Sequence, residues 1–307
     1  MRIGVDIGGT KCAVVLGDQE GIAKKIYFET TTPQETLRNI EEAILSLSNE
    51  AEAIGISCGG PLDAKKGIIL SPPNLIGWNN IHITEHLSQL FKIPAYLCND
   101  ADACALAEHR YGNGKGTENM IFLTFGTGMG AGLILNGKLY SGTNGMAGEI
   151  GHVRLADYGP VGFGKQGSFE GFCSGGGIAQ IGKIKALECL QQGAPLPYCK
   201  TAADLNQITA KLLAQKAHEG DEIAKEVYRI SGEMLGRGLS ILIDVLNPEM
   251  IVIGSIFSRS GDLLRQSMEE TIKKEALVAS RNHCQILPSK LGEQIGDYGA
   301  LAVAYGI

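Results

Sequence analysis

At 307 residues the chain is long enough for two domains with separate cores. Its 44% hydrophobic and 20% charged residues are ordinary globular composition, and no apolar run approaches the ~20 residues of a membrane span. A net charge of −6 without a Lys/Arg stripe argues against nucleic acid as partner. The short start before Ile3 reads as neither a signal nor a transit peptide and leaves no room for a helix-turn-helix. Eight cysteines, at 12, 58, 98, 104, 173, 189, 199 and 284, form no C-x-x-C pair and no cluster at zinc spacing. Reduced thiols in a cytoplasmic protein are the expectation.

Ile3 to Ile7 reads as a strand, Gly8-Gly9-Thr10-Lys11 as a turn, and Cys12 to Leu16 as the return strand, with Asp6 just before the glycines. Ile22 to Thr32 reads as a polar edge segment. A helix follows, with Thr32 as cap, Pro33 first, Glu35 third, and Leu37, Ile40, Ile44 and Leu47 on one face. Ala53 to Cys58 is a buried strand ending in Gly59-Gly60-Pro61. Pro72 to Trp78 is an irregular loop. It either pairs Asn74 with Trp78 to grip a polyol or is a surface loop with an anchoring Trp. After an amphipathic helix at Ile83 to Phe91, the strand Pro94 to Cys98 stops at Asn99-Asp100, and Ala101 to Arg110 is strongly helical. Asp100 reads as a helix cap able to keep one oxygen for a cleft. Tyr111 to Asn119 reads as the crossing into a second domain.

That domain opens with Met120 to Gly137: an apolar strand, a turn with glycines at 126, 128, 130 and 132, and a second apolar run ending at Asn136-Gly137. Glu149 and His152 come three residues apart. Pro160 to Gly177 carries seven glycines around Glu170 and reads as a long loop with little packing of its own. Ile178 to Gln192, Ala202 to Glu219 and Asp221 to Val245 are helical by pattern, the last partly broken at Gly236 and Gly238. Pro248 to Ile253 is a strand meeting Gly254-Ser255. Leu263 to Ala279 is an amphipathic helix, Gln285 to Leu287 a short strand, and Ile295 to Tyr305 a small-residue helix able to pack closely.

The two glycine turns share one layout of strand, glycine turn with a Thr, strand and closing Gly. A degenerate duplication, two similar halves serving one nucleotide, is the reading. Glycine allows positive φ and close approach, so backbone N–H groups can converge on phosphate. The plainer reading is a pair of hairpins in a chain with 42 glycines. Gly126 to Ala131 fits a dinucleotide fingerprint, but GLILNGKLY after it is a poor helix, and no P-loop motif occurs. Two anion cradles with acidic groups at strand ends point to nucleotide phosphates, Mg²⁺ and a polar acceptor. Asp6 is the candidate metal carboxylate, through water, and Asp100 the candidate base. Glu149, His152 and Glu170 suit adjacent hydroxyls of a sugar.

In combination, VDIGGTK at 5–11, GGPLD at 59–63, PNLIGW at 73–78, NDADACALAE at 99–108, FGTGMGAG at 125–132 and AGEIGH at 147–152 resemble the ROK sugar kinases of the hexokinase, Hsp70 and actin superfamily. The resemblance implies an α/β fold of two ribonuclease H-like (actin-like ATPase) domains with a nucleotide and sugar cleft between them. Residues 1–117, completed by a helix at about 291–307, would form one domain, and 118–290 the other. It implies Asp100 as general base and Gly60, Asn74, Asn99, Glu149, His152 and Glu170 as sugar contacts. Gly8, Gly9, Thr10, Lys11, Gly126, Thr127 and Gly128 would hold ATP phosphates, and Gly254 and Ser255 the adenosine side. It further implies a homodimer acting on glucose or a related hexose. The alternatives are N-acetylmannosamine or N-acetylglucosamine, or a sugar sensor without turnover.

One departure stands out. Where many members bind zinc through C-x-C-G-x-x-G-C-x-E, this chain has Val161, Phe163 and Ser168 in place of the cysteines and keeps Glu170. No structural zinc is expected. Phe163 is expected to pack where the ion would hold the loop, with His152 oriented by a protein partner.

Overall fold

The computed structural model describes residues 1–48 and 50–306. The chain divides into two compact units. One comprises Met1–Phe122, Gly132–Ala147 and the segment from Ser289 onward; the other comprises Leu123–Ala131 and Gly148–Pro288.

Strands β1 (Arg2–Ile7), β2 (Lys11–Asp18) and β3 (Gly21–Glu29) form an antiparallel meander. Helix α1 (Pro33–Leu47) leads to β4 (Ile54–Cys58), which runs parallel to β1. A small hairpin of β5 (Leu62–Asp63) and β6 (Ile68–Ile69) precedes α2 (Ile83–Phe91), β7 (Ala95–Asn99) and α3 (Asp100–Tyr111). The sheet order is β3-β2-β1-β4-β7. Helix α1 starts where its cap dictates: Thr32 accepts the Glu35 N–H, and Pro33 stands at a position whose N–H would find no partner in the helix. Its face Ile40, Ala43, Ile44 and Leu47 joins one core with Ile3, Val14 and Ile54. The segment expected to be a polar edge is β3, the third strand. Ile26 and Phe28 pack on the core while Lys24, Lys25 and Tyr27 face outward, and a strand buried on one side only carries few apolar residues.

Next come β8 (Met120–Phe125), β9 (Met129–Leu135), β10 (Lys138–Leu139) and a 3₁₀ turn at Ile150–His152. The hairpin β11 (Val161–Gly162) and β12 (Lys165–Gln166) is followed by α4 (Phe169–Phe172), α5 (Gly175–Gln191), α6 (Ala210–His218) and α7 (Glu222–Leu246). Then β13 (Met250–Ile253), α8 (Ile256–Glu275), α9 (Val278–Arg281) and β14 (Gln285–Pro288) complete the run. The second sheet has the order β10-β9-β8-β13-β14. Each sheet thus sets its third, second, first, fourth and fifth strands side by side, and the likeness of the two glycine turns extends to whole sheets.

Several local expectations are corrected. Helix α7 runs unbroken through Gly236 and Gly238. A β-carbon at Gly236 would lie 2.6 Å from Met268 O on α8, and one at Gly238 would overlap the Phe169 ring, so these glycines are packing points rather than breaks. The span 202–219 splits into a 3₁₀ turn at Ala202–Gln207 and α6, because Thr209 accepts the Leu212 N–H and starts a new helix. The amphipathic helix expected at Leu263 to Ala279 ends at Glu275, and it is preceded by a short helical stretch from Ile256, set off by a kink at Ser260, whose φ of −141° is not helical. Pro160 to Gly177 is not a sparsely packed loop: Ser168, Phe169 and Cys173 are fully buried.

Helix α10 (Ile295–Val303) belongs to the first unit and packs on α3, β1 and β4. Gly4 and Gly55 permit this approach. A β-carbon at Gly4 would stand 2.5 Å from Leu301 N, and one at Gly55 would overlap Ala300 O. No described helix is long and apolar enough to cross a membrane, and all eight cysteines are free thiols.

Candidate active site

In the first unit, Asp6, Gly8, Gly9, Gly60, Asn74 and Asp100 line one cavity of about 300 Å³. The turn after β1 is fixed by Gly8 N–H donating to Lys11 O at 2.9 Å and by Thr30 Oγ1 donating to Gly8 O at 2.7 Å. Gly9 must lack a side chain, since a β-carbon there would stand 2.7 Å from Asn74 O. Thr10 and Lys11 are exposed beside it. Among the described residues the N–H groups of Gly9 and Thr10 have no protein acceptor, which leaves them for a ligand.

The helix cap expected of Asp100 belongs to Asn99, whose Oδ1 accepts the Ala101 N–H at 3.0 Å. Asp100 is the first helical residue, and its Oδ1 accepts the same N–H at 2.8 Å. Its Oδ2 faces the turn before Pro61, 3.8 Å from where a β-carbon of Gly59 would be, and Asn99 Nδ2 stands 3.6 Å from the corresponding point on Gly60. Asp100 is accessible from the cavity, yet the surrounding walls exclude enough water to push its pKa above the ordinary carboxylate value, against the pull of the Ala101 N–H.

Burial raises Asp6 to about 6, with further upward pushes from the charges of Asp297 and Asp100; the Ser57 hydroxyl and Lys25 pull the other way. Lys25 Nζ donates to Asp297 Oδ2 at 2.5 Å. This pair and Ser57 escaped the sequence reading, though each leaves a trace. Asp297 is the one charged residue of α10, and Ser57 the one hydroxyl in the fully buried β4. A carboxylate whose charge is disfavoured by burial and by like charges fits a hard divalent cation, which would relieve both. Among the described residues no three His, Cys, Asp or Glu side chains assemble to hold an ion. Such a single carboxylate would suit Mg²⁺, which keeps most of its waters.

Trp78 is not beside Asn74 at the surface. It is fully buried in the core with Ile69 and Leu75, and its Nε1 has no partner among the described residues, so the polyol grip is corrected to an anchoring Trp.

In the second unit the turn 126–130 is tied by Gly126 N–H to Gly128 O (3.1 Å), Gly175 N–H to Gly126 O (2.8 Å) and Gly130 N–H to Thr124 Oγ1 (2.8 Å). The N–H groups of Thr127 and Gly128 have no protein acceptor among the described residues. Gly126, Thr127 and Ser255 line a cavity of about 770 Å³ with the first residues of α5, Gly175 and Gly176. Helices α5 and α8 both begin at this cavity, and their N-terminal N–H groups favour an anion. Gly128 and Gly254 do not line it; Gly254 N–H donates to Leu123 O at 3.0 Å and extends the sheet. Lys211 and Arg259 also line it, near the N-termini of α6 and α8. The sequence signal for them was their placement, since cations are disfavoured at that end of a helix unless something anionic comes near.

Glu149 precedes the 3₁₀ turn, His152 ends it, and both are exposed, while Glu170 Oε2 accepts the Met129 N–H at 3.0 Å. A β-carbon at Gly151, inside that turn, would stand 3.3 Å from Glu170 Cβ, so the three residues sit in one neighbourhood. Phe163 does not fill a zinc position. It is 87% exposed at the hairpin tip, with its ring edge-on to His152 at 6.4 Å. The hairpin is held instead by Gln180, which accepts the Val161 N–H at 2.9 Å and donates to Val161 O at 2.8 Å. Ser168 caps α4 by accepting the Gly171 N–H, and Lys165 Nζ donates to His152 O.

The ROK family profile matches residues 2–306. A glucokinase of Thermotoga maritima is 31% identical over 313 residues, covering 98% of this chain and 96% of that protein. The crystal structure of a ROK family glucokinase from Streptomyces griseus in complex with glucose and AMPPNP superposes with a TM-score of 0.77, at 30% identity over 99% of each chain. A xylose repressor of Caldicellulosiruptor bescii is 28% identical over 316 residues, covering 98% of this chain and 77% of the repressor. The fold is therefore that of the ROK sugar kinases, of the actin-like ATPase class.

Proposed function

The chain belongs to the ROK family and is an ATP-dependent sugar kinase, and we propose that it phosphorylates the 6-hydroxyl of glucose or a related hexose with Asp100 as general base. The observation that carries this reading is the placing of Asp100. One oxygen is tied to the Ala101 N–H, and the other faces the Gly59-Gly60 turn in a cavity shared with Asp6, Gly8 and Gly9. The sugar hydroxyl oxygen attacks the γ-phosphorus, ADP departs, and the proton passes to Asp100. Its raised pKa brings its proton affinity closer to that of the reacting hydroxyl.

Gly60, Asn74, Asn99, Glu149, His152 and Glu170 orient the hexose. The turns at 8–11 and 126–128 hold phosphate oxygens through the N–H groups of Gly9, Thr10, Thr127 and Gly128, and the Gly254-Ser255 segment takes the adenosine side through Ser255. Asp6 would hold Mg²⁺, through water, and the ion would supply neutralisation of phosphate charge. A homodimer in the cytoplasm belongs to the same reading; light scattering tests the assembly.

Likeness to a xylose repressor raises a second reading, a sugar sensor without turnover. It has no use for Asp100 together with two N–H cradles. Asp100→Asn separates the two. A kinase loses about 10²–10⁴ in kcat and keeps its sugar affinity. Loss of sugar binding with turnover of bound sugar preserved would sink the assignment of the base.

A further inference from the structure

Glu170 has a second engagement beyond a sugar hydroxyl. Its Oε2 accepts the Met129 N–H at 3.0 Å from 41 residues away, and a β-carbon placed on Gly128 would lie 2.9 Å from the same oxygen. The side chain is wedged at its root, since a β-carbon at Gly162 would stand 2.8 Å from Glu170 Cβ. Phe169 beside it is fully buried, and Ser168 caps its short helix. The carboxylate therefore has little freedom to leave the turn. The ties of turn 126–130 to Gly128 O, Gly126 O, Thr124 Oγ1 and Gly130 O are neutral; this one is charge-assisted, and such bonds are about twice as strong.

We propose that Glu170 is a positioning residue for the phosphate turn. By fixing the peptide before Met129 it aims the N–H groups of Thr127 and Gly128, and it couples sugar occupancy to nucleotide affinity. The inference rests on the sugar and nucleotide roles given above to Glu170 and the turn. A sugar hydroxyl donating to Oε1 draws charge from the carboxylate and lessens its repulsion of a nearby phosphate, so each substrate strengthens the binding of the other.

The test is titration of ADP with magnesium, in the absence of any sugar, into the unmodified protein, Glu170→Ala and Glu170→Gln. Glu170→Ala is expected to bind ADP about tenfold more weakly. Glu170→Gln, whose amide oxygen still accepts the Met129 N–H, should stay within about twofold while its sugar affinity falls. Hydrogen exchange across 120–135 should quicken in Glu170→Ala and not in Glu170→Gln. If Glu170→Ala does not fold, Gly128→Ala displaces the same oxygen and should quicken the same amides. Unchanged ADP affinity and exchange, with only sugar affinity reduced, would overturn the proposal and leave the sugar kinase reading standing. Weakened ADP binding in a protein that turns over no sugar would uphold the positioning role and remove the sugar reading.

Discussion

The two glycine turns share a layout but are supported by different means. The turn at 8–11 brings its charge with it: Asp6 and Lys11 flank the glycines, and the loop rests on the backbone of Asn74. The turn at 126–130 is uncharged and takes its carboxylate from Glu170, far along the chain. What leans on each turn therefore differs. Behind Gly9 stands backbone; behind Gly128 stands the end of a side chain. One turn is stiff by construction, and the other is adjustable by whatever engages Glu170.

The largest effect should come from breaking that difference with one methyl group. Gly9→Ala must move the backbone of the Asn74 loop, and a misplacement of that size costs about 10²-fold in kcat/KM. Gly128→Ala displaces the end of one side chain rather than backbone and should cost about tenfold, mostly in nucleotide affinity. Steady-state kinetics with ATP and sugar varied separately checks both, and equal losses would mean the turns are alike after all.

Next in size is the charge that only the first turn carries. Asp6 rises from 3.8 to about 6 on folding, so its contribution favours the native state below pH 4 and is lost as pH climbs through 6. Asp6→Asn should stabilise the magnesium-free protein at pH 7 by about 2 kcal/mol, seen as a higher urea midpoint, and should lower turnover while raising the magnesium concentration it requires. A lower midpoint would contradict the stated cause of the shift.

Smaller still is the support of the second sugar neighbourhood. Gln180→Ala removes both bonds to Val161 and should cost about 1–2 kcal/mol, with sugar affinity falling more than ADP affinity. The effect at Trp78 is of the same size in stability and the smallest at the site. Its Nε1 lacks a partner among the described residues, so Trp78→Phe loses packing but no hydrogen bond and should cost about 1–2 kcal/mol without changing the KM for sugar. A large rise in that KM would restore Trp78 to the sugar site.

Much of this was legible in the sequence because it is local. The Thr32-Pro33-Glu35 cap, the apolar runs and the glycine turns each state their geometry within a few residues. Grouping polar residues at strand ends gathered Asp6 with Asp100, which share a cavity. What escaped is long-range. Lys25 meets Asp297 across 272 residues and Glu170 meets Met129 across 41, separations no periodicity records. Trp78 stayed between two readings and Phe163 was misjudged for a related reason: an aromatic residue in a glycine-rich loop looks the same whether the core or solvent receives it.

The most direct test of the central claim is ATP and magnesium turnover against glucose, fructose, mannose, allose, N-acetylglucosamine and N-acetylmannosamine, followed across pH. The account predicts one hexose well above the rest, with an acid limb lying above the ordinary carboxylate range because Asp100 must give up its proton first. A sugar that binds but is never phosphorylated at any pH would contradict it, and would leave a sensor in place of an enzyme.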